Sequence, residues 1–323
     1  MNRRATALAF LALGIAVSAV AQTPPRVAFI SPITEAGSVI RIGALKDGLR
    51  DNGLIEGKHY VMDAVYADGK PDRFPALTQE VLQRNPNLIV VVTIPSVRAA
   101  QQATKTIPIV FVSTADPVGN GLVASLARPG GNTTGFTGMQ EDLVAKQIEL
   151  LRAAVPRATR LAVLTSPAAN PAHVKMVEKA SATAAGFGVS ARAFETALPA
   201  ALDAVLEAVA NHRADALLVL PNPMYYGERE RISAFGLKNG IAVIAPEGEF
   251  ADAGSLIAYS TPYTPLFRHA AGYVKKILAG AKPADLPVEQ PTRFELVINS
   301  KTAKALGIKI PQSLLLRADR VIE

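Results

Sequence analysis

Polar side chains recur in this chain where short apolar runs stop, and their types suit holding a small charged molecule rather than transforming it. Ser31 and Pro32 follow VAFI, Thr93, Pro95 and Ser96 follow LIVVV, and Thr114 and Asp116 follow IPIVFVS. Thr165 and Asn170 come after LAVL, Asn222 and Tyr225 after ALLVL, and Glu247 after IAVIA. In an open parallel sheet the carboxyl ends of strands are where ligands sit, and hydroxyl, amide and carboxylate groups together match a zwitterion. Ser96, read as the start of a helix, offers free backbone N–H groups to a carboxylate, with Thr114 beside it. Asp116 or Glu247 would take an ammonium group in a charge-assisted hydrogen bond. Each of these has a local alternative: Ser96 as a plain helix cap, Asp116 bracing its own turn, Asn222 as turn chemistry between two prolines. Tyr225, Tyr226, Tyr259, Tyr263 and Phe267 are the aromatic side chains placed to reach a shared cleft; there is no Trp.

The residue sets that catalysis needs are missing. There is no Cys and no G-x-S-x-G elbow. The four histidines, at 59, 173, 212 and 269, lack metal-ligand spacing and read as solvated or capping residues. The segment Gly119-Asn120-Gly121-Leu122-Val123-Ala124 fits a dinucleotide fingerprint, but its glycines do not follow a strand directly. It reads instead as a helix packed closely on a sheet. A non-enzyme without cofactor or metal is expected, with an exported α/β enzyme as the alternative.

The elements that would position these groups alternate strand and helix. Strands are predicted over 26–30, 60–66, 88–94 and 107–112, with helices between them and a short helix carrying Leu122, Val123 and Leu126. Ser38 is the expected cap of the first helix, whose stripe is Ile42, Leu45 and Leu49. The rhythm then restarts, with a helix over 143–155 and strands over 160–165, 189–194, 215–220 and 241–245. Later come a strand at 256–260, a helix over 262–279, a Pro-rich linker over 281–291 and a last strand at 294–298. Nearly continuous apolar strands are those covered on both faces, and a chain of 323 residues exceeds the usual single core. The predicted fold class is α/β, with two doubly wound parallel-sheet lobes in series.

The N-terminus predicts the compartment. Arg3 and Arg4 precede an apolar segment from Ala5 to Val17, and Ala19-Val20-Ala21 closes it with small residues. That is the pattern of a secretory signal peptide over 1–21, too short for a stable membrane span. No Cys follows to carry a lipid. Net charge is +7, but Lys and Arg are scattered, so nucleic acid is not an expected partner.

Three ordered blocks carry a resemblance: TKTIPIVF at 104–111, ADPVGNGLVASLARPGGNTTG at 115–135, and LVINSKTAKALGIKIP at 296–311. From about Pro25 to Glu323 the chain resembles the ABC-transporter substrate-binding family whose characterised members bind tryptophan and related amino acids, with a periplasmic binding protein type 1-like fold. The resemblance implies a periplasmic monomer that binds an amino acid or related carboxylate between its lobes. It also implies delivery of that ligand to an inner-membrane permease with a separate ATPase. A sugar or nucleoside ligand is the alternative solute class. The lobes would comprise 22–135 with 259–290 and 136–258 with 291–323, joined by hinge strands near 133–138, 258–261 and 292–296. Sequencing the exported form should find Gln22 at its N-terminus; retention of residues 1–21 would oppose the signal-peptide assignment.

Overall fold

The computed structural model describes residues 23–196 and 199–323; the segment read as a signal peptide, 1–21, lies outside the described residues. The chain begins with β1 (Arg26–Ser31), α1 (Glu35–Asp51), β2 (Val61–Tyr66), α2 (Phe74–Leu82), β3 (Leu88–Val91), α3 (Ile94–Ala103), β4 (Ile109–Thr114) and β5 (Thr133–Thr137). It continues with α4 (Gln140–Ala154), β6 (Arg160–Thr165), α5 (His173–Gly186), β7 (Ser190–Glu195), α6 (Leu202–Asn211) and β8 (Ala216–Val219). Then come α7 (Pro223–Gly227), α8 (Arg229–Lys238), β9 (Ala242–Ala245), α9 (Gly248–Asp252) and β10 (Ile257–Ser260). The last elements are α10 (Tyr263–Leu278), β11 (Glu295–Asn299), α11 (Ser300–Ala305), α12 (Gln312–Leu315) and β12 (Arg320–Ile322).

Two sheets result. The first has five strands in the order β2-β1-β3-β4-β5, all parallel, and the second has seven in the order β12-β11-β10-β9-β8-β6-β7. In the second, β11 runs antiparallel to β10, and every other pairing is parallel. The β11 direction follows from its connection: the chain goes out to the first lobe as α10 and comes back. Side chains of β1, β3 and β4 alternate between two cores. Phe29, Val90 and Val112 pack under α1 and α10 with Leu45, Phe267 and Val274. Ile30, Val91 and Phe111 face α2 and α3 with Val81 and Val97. Helices on both faces explain why these strands are apolar throughout.

The chain passes between the sheets after β5, between β10 and α10, and again before β11. Residues 288 and 289 still belong to the first lobe's edge, where Val288 N–H donates to the Leu126 carbonyl at 2.7 Å and Glu289 N–H to Gly135 at 3.0 Å. Neither β5 nor β10 itself crosses: β5 lies wholly in the first sheet and β10 in the second.

Three local expectations change. Residues 119–126 form a turn followed by bends and not a helix, because Asp116 Oδ1 captures the Gly119 N–H at 2.8 Å and the Pro117 carbonyl takes Leu122 N–H at 2.8 Å. Thr34, not Ser38, caps α1, accepting from Gly37 N–H. Ser38 lies within that helix and bonds Ser31 across 2.6 Å. Strand β3 is shorter than expected, since Thr93 already caps α3 and Pro95 sits in its first turn.

Gly48 is required by the contact between α1 and α10: a Cβ there would lie 2.8 Å from the Ala271 methyl and collide with the Arg268 carbonyl oxygen. Gly43, on the same helix, would meet nothing within 4 Å. Gly48→Ala should therefore destabilise the protein by roughly 1–3 kcal/mol through overpacking, while Gly43→Ala should stabilise it by up to about 1 kcal/mol. Denaturant titration of both variants checks this, and equal responses would show that α1 and α10 are not packed in this way.

Candidate functional site

A cavity lies between the lobes, lined by residues of both. The first lobe contributes the strand ends of β3 and β4, the start of α3, and Pro32, Arg41 and Phe74. The second contributes Asn170, Pro221–Pro223 and Glu247, and Tyr263 at the start of α10 also lines it. Parallel sheets put these ends on one side, which is why the groups converge.

The charged part is a pair that spans the cleft. Arg41 Nη2 donates to Glu247 Oε2 at 2.6 Å, with side chains only 8% and 5% exposed. The guanidinium is sandwiched between aromatic rings, 4.3 Å from the Tyr263 centroid and 4.7 Å from that of Tyr226, an arrangement that favours a planar cation. Gln140 Nε2 donates to Tyr263 OH at 3.3 Å and to the Ser113 carbonyl at 3.2 Å, tying α4 to the end of β4. Burial pushes the Glu247 carboxyl up to about 7, against the pull of Arg41.

Ser113 has φ 62° although it is not glycine, and the β4–β5 register shifts between Val112 and Thr114. This bulge at the end of β4 re-aims the strand's last residues toward the cavity.

The expected site residues divide. Pro32, Thr93, Pro95, Thr114, Asn170, Asn222 and Glu247 line the cavity; Ser31, Ser96, Asp116, Thr165 and Tyr225 do not. Ser31 is spent on Ser38 and on the Ile33 N–H. Ser96 is fully buried in a capping box with Thr93, accepting Thr93 N–H at 3.0 Å and donating to the Thr93 carbonyl at 2.8 Å. Its hydroxyl therefore serves the helix and has no reach into the cavity; a cap of this kind contributes about 1 kcal/mol. Asp116 braces its own turn and reaches Lys175 across the lobes at 3.1 Å. Thr165 bonds His173 Nδ1, and its carbonyl accepts the Tyr225 hydroxyl at 2.7 Å. Thr114 lines the cavity but donates its hydroxyl to the Val92 carbonyl at 3.0 Å.

Of the solvated and capping roles expected of the histidines, His173 takes one of the capping kind, on backbone groups of two loops. It is fully buried, its Nδ1 accepts Ser166 N–H at 2.9 Å, and its Nε2 faces the Pro221 carbonyl at 2.9 Å. That geometry requires the Nε2–H tautomer, and burial lowers the imidazole to about 4. The side chain staples the loop bearing Asn170 to the end of β8. Arg41, Ser113 and Gln140 were not anticipated. Arg41 sits in the expected first helix without a paired motif nearby, and its partner is 206 residues away. Among the described residues no group of three or more His, Cys, Asp or Glu is placed to hold a metal.

Two α/β lobes enclosing a cavity at their strand ends define a periplasmic binding protein fold of the type 1-like kind. Residues 26–322 match the family described as ABC transporter substrate binding protein, and the chain belongs to that family. A tyrosine-binding protein of Clostridioides difficile (strain R20291) is 27% identical over 265 residues, 81% of this chain and 74% of its own. A conserved domain protein from Vibrio cholerae superposes with a TM-score of 0.87 at 27% identity, covering 93% of this chain and 100% of that one. An ABC domain from Streptococcus pneumonia, solved in complex with L-Trp, shares the fold at 23% identity with a TM-score of 0.86, over 93% and 100% of the two chains.

The Glu247 environment sets a pH dependence. Folded Glu247 keeps its proton up to about pH 7, whereas the unfolded carboxyl releases it near its ordinary 4.5. The stability it contributes is therefore complete below about 4.5 and is lost as pH rises through about 7. Glu247→Gln, neutral and still an acceptor for Arg41, should match the parent near pH 4.5 and become relatively more stable above pH 7. Denaturation midpoints across this range test it; a parent–variant difference that does not vary with pH would contradict it.

Proposed function

We propose that the protein is the periplasmic solute-binding component of an ABC importer and that its ligand is an aromatic L-amino acid. The observation that carries this reading is the charge balance of the cavity once Glu247 is ionised, above about pH 7: one buried cation and one buried anion, Arg41 and Glu247, and otherwise polar neutral and apolar walls. A net-neutral zwitterion enters such a site without leaving an uncompensated charge, which a simple anion or cation would do at a cost of several kcal/mol. Phe74, Val92, Ile94 and Pro71 give the site an apolar side that suits a flat hydrophobic side chain. The tyrosine-binding relative and the fold shared with an L-Trp complex support the aromatic class.

In this reading the ligand is delivered to an inner-membrane permease with its own ATPase, and the protein acts as a monomer without catalysis. Residues 1–21 direct export and are removed. Among the described residues no helix is long and apolar enough to cross a membrane. Ligand entry and release bend the chain at its three passages between the sheets, in the hinge manner of two-lobed binders.

Calorimetry against the twenty amino acids, with a hexose and a nucleoside as controls, tests the proposal. Saturable binding of one or more of L-Tyr, L-Trp and L-Phe is expected, and no heat from the controls. Binding of a control compound, with rejection of every amino acid, would overturn the reading.

A further inference from the structure

Asn222 lines the cavity at the end of β8 and is only 5% exposed. Its amide is not free to turn. The Met224 N–H donates to it at 2.8 Å as the cap of α7, and only the oxygen accepts such a bond, so the orientation of the amide is fixed. The nitrogen is consequently committed to the other side, where it is buried and meets no hydrogen-bond partner in the protein. A buried donor left in this state costs about 1–3 kcal/mol, and such groups in native proteins call for a specific explanation.

The neighbourhood is held rigidly. Pro221 and Pro223 flank the residue, and His173 holds the Pro221 carbonyl at 2.9 Å. An acceptor must therefore come to the nitrogen, since the nitrogen has no slack with which to find one.

The next strand supplies the other half of the argument. β8 and β9 are adjacent and in parallel register, so Asn222 and Glu247, which follow them, come from neighbouring strand ends, and both line the cavity. Arg41 engages only Oε2 of Glu247. The ammonium and carboxylate groups on one α-carbon lie side by side, as these two strand ends do.

We propose that Asn222 Nδ2 is the donor that recognises the ligand's α-carboxylate, while Glu247 takes its α-ammonium group. The inference rests on the amino-acid reading above and sharpens it: the second lobe reads the head group shared by all α-amino acids, and the first lobe faces the side chain with Phe74, Val92 and Ile94. The assignment replaces the carboxylate role expected of Ser96, whose hydroxyl is occupied within its own helix cap.

The test uses L-tyrosine and L-tryptophan, each with its carboxamide and its decarboxylated amine, against the parent and Asn222→Ser. Serine retains a capping oxygen for α7 and loses the amide donor without adding charge. The parent should bind the free acid at least roughly 100-fold more tightly than the amine, because the amine leaves Nδ2 unpaired. Asn222→Ser should weaken binding of the acid roughly tenfold or more, and of the carboxamide distinctly less, because the bond to a charged oxygen is the stronger one. Equal losses for acid and carboxamide, or no loss, overturn the assignment while leaving the amino-acid reading intact. So does a parent that binds amine and acid alike, a comparison that decides the matter even if the variant fails to fold. Rejection of both free acids and of L-phenylalanine by the parent overturns the aromatic reading and this assignment with it.

Discussion

The buried pair between Arg41 and Glu247 is the constraint on which the geometry of the cleft depends. Two charges taken out of water are expensive, and their mutual attraction repays that cost only with good geometry and further partners. Here the guanidinium finds those partners in the faces of Tyr226 and Tyr263, so four elements from both lobes meet at one cation. Burial raises the Glu247 carboxyl, whereas the Arg41 guanidinium is raised against its own burial by the charge of Glu247. The pair is then better understood as fixing the position of the lobes than as stabilising the fold. The exposed Lys175–Asp116 contact on the other rim, 54% and 32% exposed, belongs to a class worth about 0–1 kcal/mol. It decorates a closure whose register is set elsewhere.

Much of the architecture was legible because the signals were local. The apolar runs at β1, β3, β4, β6, β8 and β9 are short, bounded and fully covered, and the stripes of α1 and α4 are regular. Two α/β lobes follow from that rhythm together with chain length. What failed was punctuation. Thr93 and Ser96 both qualify as caps by type, and only the backbone shows that Thr93 has the extended conformation and Ser96 the third helical position. At 119–126 the apolar spacing suggested a helix, but Asp116 and Pro117 capture the N–H groups that a first turn would need. A Cβ at Gly119 would strike the Asp116 carboxylate, so this glycine serves a side chain and not a sheet.

The site was legible as a set of strand ends and less so as chemistry. Strand-end position places Thr93, Thr114, Asn170, Asn222 and Glu247 around one cavity. Residue type alone could not separate hydroxyls that face it from those consumed by caps and turns, as at Ser31, Ser96 and Thr165. Arg41 had no local signature, since a helical arginine is ordinarily solvated and its partner lies far along the chain. For His173 the expectation of a solvated or capping role left the choice open, and the fold placed it among backbone groups of two loops.

The route of α10 governs the order in which the molecule can assemble. The face of the first sheet that carries Phe29, Val90 and Val112 is covered in part by Phe267, Ala270 and Val274, which come from a segment more than a hundred residues after β5. A chain elongated only as far as β5 therefore holds all five strands of the first sheet and still shows water a broad apolar surface. Completion waits for long loops to close, an entropically slow step that depends on non-local contacts. The first lobe cannot mature as an independent early unit, and an emerging chain stays pliable until almost all of it has been made.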